Sequence, residues 1–151
     1  MEKITLVVPF LPPSVNEVYK FNRKTGAMYM VKEASAFKKG FAKFMQESYL
    51  KAIHSFDTKS LYKANYTFVF LEENLINAKF GTDGRVKSRY KNVDVDNRVK
   101  LQQDCLASSF GFNDSQIFEF TASKKIGKTE QLIIELEKVE LASYTITDKG
   151  T

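Results

Sequence analysis

Apolar and polar residues recur along the chain with two different periods, and the changes between them mark its elements. Over residues 3–10, Ile4, Leu6 and Val8 fall on one face, the two-residue period of a strand. Pro12-Pro13-Ser14 ends it, because proline offers no donor to a ladder. Residues 14–32 read as loop, with a hairpin turn at Lys24-Thr25-Gly26 and a short strand at Tyr29-Met30-Val31. The period then lengthens. Phe37, Phe41, Phe44, Met45 and Tyr49 recur at helical spacing with lysines between them, which predicts an amphipathic helix over 34–53. Tyr62, Ala64, Tyr66, Phe68 and Phe70 alternate onto one face of a strand over 61–71. Val99, Leu106 and Phe110 mark a second helix over 96–110, stopped by Gly111. Strands follow over 116–122 and 131–139, joined by a turn at Gly127-Lys128. The order strand, helix, strand, helix, strand, strand predicts an α/β (α+β) fold, with two main helices on a mixed sheet.

The connection over 72–91 is polar and far exceeds the ~4–6 residues usual between elements; connections of that length are often functional or mobile. A length of 151 residues suits one domain, placed at 1–139 with a loosely held polar tail at 140–151. Thirteen Phe and seven Tyr supply a core without staples. The single Cys105 and single His54 exclude an internal disulfide and His-rich zinc chemistry. No apolar run approaches the ~18 residues of a membrane span. Residues 1–8 lack a basic segment leading into an apolar one, so the expectation is a soluble cytoplasmic chain with no membrane partner.

Charge changes the picture locally rather than globally. The formal net charge of +5 permits nucleic acid as a partner without requiring it. Arg85, Lys87, Arg89 and Lys91 lie within seven residues that contain no acid, and Asp94 and Asp96 follow directly. One reading is a solvated loop whose acids complement a helix start. On a helix beginning near Asp96, however, Asp96, Lys100 and Asp104 are spaced i, i+4, i+8 and share a face. Asp94 sits just before them. Asp114 lies past the glycine break and folds back if the next strand runs beside this helix. Three or four carboxylates around a lysine make a hard-cation site of the kind Mg²⁺ occupies, keeping waters and substrate phosphate as further ligands. Such an ion can activate water for phosphoryl displacement while the lysine neutralises charge and the basic run grips a nucleic-acid backbone. The plain alternatives are surface ion pairs worth a few tenths of a kcal/mol and turn chemistry at Asn113-Asp114-Ser115. Each suffices alone; the combination is harder to explain that way. An EF-hand from Asp94 would need Gly and Glu where the chain has Val99 and Cys105. There is no Gly-rich phosphate loop. Cys105 has no catalytic partner and reads as packing.

The combined pattern resembles the RusA family of Holliday-junction resolvases. The resemblance rests on Pro12-Pro13-Ser14-Val15-Asn16, on Asp94-Val95-Asp96-Asn97 with Lys100 four residues after the second Asp, on Asp104, and on Gly111-Phe112-Asn113-Asp114-Ser115-Gln116. It implies a RusA-like mixed sheet and a Mg²⁺-dependent endonuclease that acts as a homodimer. Such an enzyme places symmetric nicks across four-way DNA junctions in recombination and repair, in bacteria, prophages or phages. It implies that Asp94, Asp96 and Asp114 bind metal, that Asp104 is a further acid of the same site, and that Lys100 is catalytic. Ser14, Asn16 and the segment 90–97, including Asn97, are expected near DNA, with Arg85, Lys87, Arg89 and Lys91 on phosphates. The chain departs from the family pattern in two places. Asn113 stands where an Asp is usual, which removes a charge but keeps an oxygen, and activity is expected to survive. The connection over 72–93 is also long for the family. The alternative is a branched-DNA binder without catalysis, but a pure binder has no use for acids that repel phosphate.

Overall fold

The computed structural model describes residues 2–15 and 18–147. Its frame is a four-stranded mixed sheet built on the strand with the clearest alternation, β4 (Leu61–Phe70). Strands β1 (Lys3–Val8), β5 (Ile117–Ile126) and β6 (Gln131–Val139) complete it in the order β1-β6-β4-β5. A separate hairpin pairs β2 (Tyr19–Phe21) with β3 (Met28–Met30) around Gly26, whose φ of 72° suits glycine. The helices are α1 (Lys32–Ser48), α2 (Leu50–Ser55), α3 (Glu72–Leu75) and α4 (Asp96–Phe110). The mixed α+β architecture agrees with the sequence pattern.

The alternation of β4 sends Tyr62, Ala64, Tyr66, Phe68 and Phe70 into the core. There they meet Phe41 and Met45 of α1, Leu101 and Leu106 of α4, and Leu132, Ile134 and Leu136 of β6. The other face of β4 is polar: Lys63 pairs with Glu119 at 3.1 Å, and Thr121 Oγ1 donates to Asn65 Oδ1 at 2.7 Å.

Several expectations change. The helix foreseen over 34–53 breaks at Tyr49, where φ is −133° and ψ 27°. The break lets the Tyr49 hydroxyl accept the Val7 N–H at 3.0 Å while its ring packs edge-on against Phe44. The strand foreseen over 116–122 continues to Ile126. Nor do β5 and β6 pair with each other: β5 runs parallel to β4 on one side, and β6 antiparallel on the other. The chain crosses the end of β4 at Gly127, whose N–H donates to the Phe70 carbonyl at 2.9 Å. A Cβ at Gly127 would lie 2.5 Å from Val69 Cγ1. Gly127→Ala is therefore expected to destabilise the fold by about 1–3 kcal/mol, read as a lower urea midpoint at unchanged slope. An unchanged midpoint would show that this crossing has room to spare.

The connection over 72–91 is not a plain loop. It opens with α3, then doubles back so that Ile76 bridges Tyr90. The Asn77 N–H donates to the Arg89 carbonyl at 2.7 Å, and the Lys91 N–H to the Leu75 carbonyl at 2.8 Å. The tail foreseen as loose from 140 is anchored at its start. A 3-10 turn, Leu141–Tyr144, brings the Tyr144 hydroxyl to Glu119 Oε1 at 2.9 Å and its ring edge-on to Phe118.

Candidate active site

Helix α4 is buried more widely than one apolar stripe requires. Besides Val99, Leu106 and Phe110, it buries Leu101, Gln102, Cys105 and Ala107, packing beside α1 and α2 in the core shared with the sheet. Asp96, Lys100 and Ser108 stay exposed on one strip, with Asp104 half-buried among them. The four positions are spaced i, i+4, i+8, i+12, so a single line of polar side chains runs down the helix.

The strip borders two clefts. At its head, Asp96, Val99, Lys100 and Gln103 face Phe120 and Ala122 of β5 across a cleft of about 190 Å³. At its foot, a shallower cleft of about 230 Å³ lies among Asp104, Ala107, Ser108, Phe112, Asn113 and Asp114.

Local backbone chemistry builds the foot. Gly111 ends α4 in the left-handed conformation, with φ 80°. Asn113 then caps a 3-10 turn, its Oδ1 accepting the Ser115 N–H at 2.9 Å and its own N–H donating to Gln116 Oε1 at 2.9 Å. Gln116 Nε2 donates to the carbonyls of Thr58 (3.1 Å) and Ser60 (2.8 Å), which ties the turn to the start of β4. Asn113 is thus occupied in the turn, while Asp114 reaches back to hydrogen-bond with Asp104. Burial, then the hydrogen bond and charge of Asp114, push the Asp104 carboxyl up to about 6, against the pull of Lys100 and Lys38. A second carboxylate this close disfavours the charged form of Asp104.

The structure therefore joins Asp96 with Lys100 and Asp104 with Asp114, but it does not gather all four acids. Asp94 is exposed in the stretch leading into α4. Among the described residues, no three His, Cys, Asp or Glu side chains come together as a metal-binding group. Helix geometry gives the reason: Asp96 and Asp104 share a face but sit roughly 12 Å apart along the axis.

Arg98 is a residue whose role the sequence did not reveal. Its guanidinium donates to the Pro12 carbonyl and lies 5.4 Å from the centre of the Phe70 ring. Burial lowers its pKa. This tether brings the Pro12-Pro13-Ser14 stretch to the first turn of α4. Ser14 is exposed there; Asn16 lies outside the described residues. Asn97 is half-buried. Phe120 and Gln103 were also missed. A strand over 116–122 was foreseen, but not which helix it would face.

The basic run is exposed and partly engaged within its own loop. Arg85 Nη2 pairs with Asp83 at 3.2 Å, which holds the Asp83 carboxyl below its usual range. Lys87 Nζ donates to the Gly84 carbonyl at 2.9 Å and Lys91 Nζ to the Glu73 carbonyl at 2.6 Å. The Arg89 side chain is exposed. Cys105 packs as expected, its thiol pushed up to about 12 by burial.

The family model described as Endodeoxyribonuclease RusA matches residues 9–137. The chain belongs to the RusA family. No individual curated protein matches it. The RusA match runs from the proline stretch into β6, so it takes in both clefts, all four acids and Lys100. The family is one of DNA endonucleases, and its match includes the α4 strip that carries Asp96, Lys100 and Asp104. No helix among the described residues is long and apolar enough to cross a membrane.

Proposed function

We propose that the protein is a Mg²⁺-dependent endodeoxyribonuclease that resolves four-way DNA junctions by paired nicks, as a homodimer, in recombination and repair. The observation that carries this reading is the acid-and-lysine strip of α4, closed at its foot by the Asp104–Asp114 pair. The donor set fits the ion. Mg²⁺ is usually held by one or two carboxylates, with waters and substrate phosphate completing its shell. Asp104 and Asp114 supply two such groups, hydrogen-bonded to each other, and a cation there would relieve the repulsion between them. Asp94 and Asp96, at the head of the strip, are the further acids of the metal site, where a cation would sit between carboxylate and substrate phosphate. A bound Mg²⁺ would supply a lowered water pKa and charge neutralisation on the phosphate.

The chain's own residues do the rest. Lys100 presents an ammonium beside Asp96, where it neutralises charge that develops on the transferred phosphoryl group. Arg98 holds the proline stretch, and with it Ser14, against the head of α4. Arg85, Lys87, Arg89 and Lys91 attract the backbone without reading sequence. A dimer follows from the task, since resolving a junction takes two cuts and each chain carries one strip.

A labelled four-way junction, assayed with and without Mg²⁺ beside a linear duplex of the same sequence, tests this reading. The expected result is Mg²⁺-dependent nicking of the junction at symmetric positions, with the duplex left intact. Sedimentation should give twice the chain mass. Tight junction binding with no cutting in any divalent metal would favour a non-catalytic binder. Equal cutting of junction and duplex would overturn the junction specificity.

A further inference from the structure

We propose that the groove between the 72–93 excursion and the end of β5 holds an unpaired nucleotide of the DNA strand, with its base on the Tyr90 ring and its phosphates on Lys91 and Lys124. The proposal rests on the DNA-cleaving reading and adds a second subsite to it. The groove, about 520 Å³, is lined by Leu75, Ile76, Tyr90, Lys91, Lys124, Lys125 and Ile126. Three lysines surround an apolar floor, and no acid lines it.

The exposed apolar groups here do nothing for the core. Tyr90 is 66% exposed and Ile126 53%. Yet the Tyr90 backbone is fixed: it bridges Ile76, and the next residue's N–H is held by Leu75. The ammonium groups are preset as well. Lys124 Nζ donates to the Val93 carbonyl at 3.0 Å and Lys91 Nζ to the Glu73 carbonyl at 2.6 Å. An ammonium has three donors, so each keeps two for phosphate oxygens. An exposed aromatic face on a fixed backbone among cations is the arrangement that binds single-stranded nucleic acid: every base has a face to stack, and every linkage has a charge to meet.

The groove is also continuous with the head of the α4 strip. In β5, Phe120, Ala122, Lys124 and Ile126 lie opposite Ala64, Tyr66, Phe68 and Phe70 of β4, and so share one face. Phe120 and Ala122 line the Asp96–Lys100 cleft; Lys124 and Ile126 line the groove. One strand face thus forms a track from the acids to Tyr90, roughly 20 Å at the rise of a β-strand. Duplex DNA hides its bases in the stack, so only an opened or branched strand can use the Tyr90 end. The groove would therefore select DNA with an unpaired nucleotide a few positions from the cut.

The test uses a metal-free single-stranded oligonucleotide carrying 2-aminopurine, with the full chain. Binding should quench the probe. Tyr90→Ala should abolish the quench and weaken binding about ten-fold, Tyr90→Phe should retain both, and Lys124→Ala should weaken binding while keeping the quench at saturation. Because the ring is exposed, Tyr90→Ala should leave the thermal midpoint unchanged. Quenching that survives Tyr90→Ala, or an oligonucleotide that does not bind, overturns the proposal. A Tyr90-dependent quench together with uncut junctions would instead overturn the nuclease reading alone.

Discussion

Asp96→Asn is expected to lower junction cleavage by roughly 100-fold or more while leaving metal-free junction binding intact or slightly tighter. Asp96 is the first residue of α4, exposed, and shares the 190 Å³ cleft with Lys100. The substitution keeps the side chain's shape and one oxygen, but removes a charge that a cation would need and that phosphate would resist. Its structural cost is small. An acid in the first helical turn complements the dipole by only about 0.3–1 kcal/mol at an exposed site. Single-turnover cleavage of a labelled junction, beside an electrophoretic binding titration without metal, separates the two effects. Cleavage at the wild-type rate would remove Asp96 from the site. Loss of binding in step with cleavage would point to a DNA contact instead.

Asp104→Asn is expected to act in opposite directions on stability and activity. The Asp104 carboxyl has its pKa pushed up to about 6 in the folded chain, from an ordinary value of 3.8, by burial and by Asp114. Below the ordinary value the group is protonated in both folded and unfolded chains and contributes no difference. As pH rises towards 6, the unfolded chain loses the proton first, and the folded state loses stability relative to it. Above 6 the penalty is complete. Asparagine carries no such penalty and can still hydrogen-bond to Asp114. The variant should therefore match the parent near pH 4 and exceed it above pH 6. The gain should be on the order of 1–2 kcal/mol once the partial exposure of the pair is discounted. That corresponds to roughly 2–8 °C in thermal midpoint for a chain of this size. Cleavage should fall by at least about ten-fold, since half of the paired carboxylate set is gone. Parallel stability curves for the two proteins from pH 4 to 7 would mean that the pair carries no strain. Undiminished cleavage would make Asp104 a neighbour of the site rather than a member.

Much of α4 was legible before any coordinates. Its bounds at Asp96 and Phe110, and its stop at Gly111, are local matters of periodicity and backbone freedom. So was the alternation of β4. The break at Tyr49 was not, because a phenol reaching Val7 on β1 leaves no mark in the helical period. The folded excursion over 72–91 was hidden for a similar reason: it is held by main-chain bonds such as Asn77 to Arg89, which depend little on side-chain type. At the site, sharing a helix face was read as convergence around one lysine. The rise of the helix instead keeps Asp96 and Asp104 two turns apart, and Asp104 finds its partner only when the chain turns back.

The sequence by itself determined the strip: which residues on α4 are polar, their spacing, and the glycine that allows the chain to reverse. These are consequences of short-range geometry. Only the tertiary structure decided what the strip faces. Parallel pairing of β5 with β4 sets Phe120 and Ala122 across from Asp96 and Lys100, and leads the same strand face on to Lys124 and Ile126 beside Tyr90. That pairing joins strands separated by more than forty residues, through a helix and a folded excursion. It is selected by the packing of the whole core rather than by any local pattern.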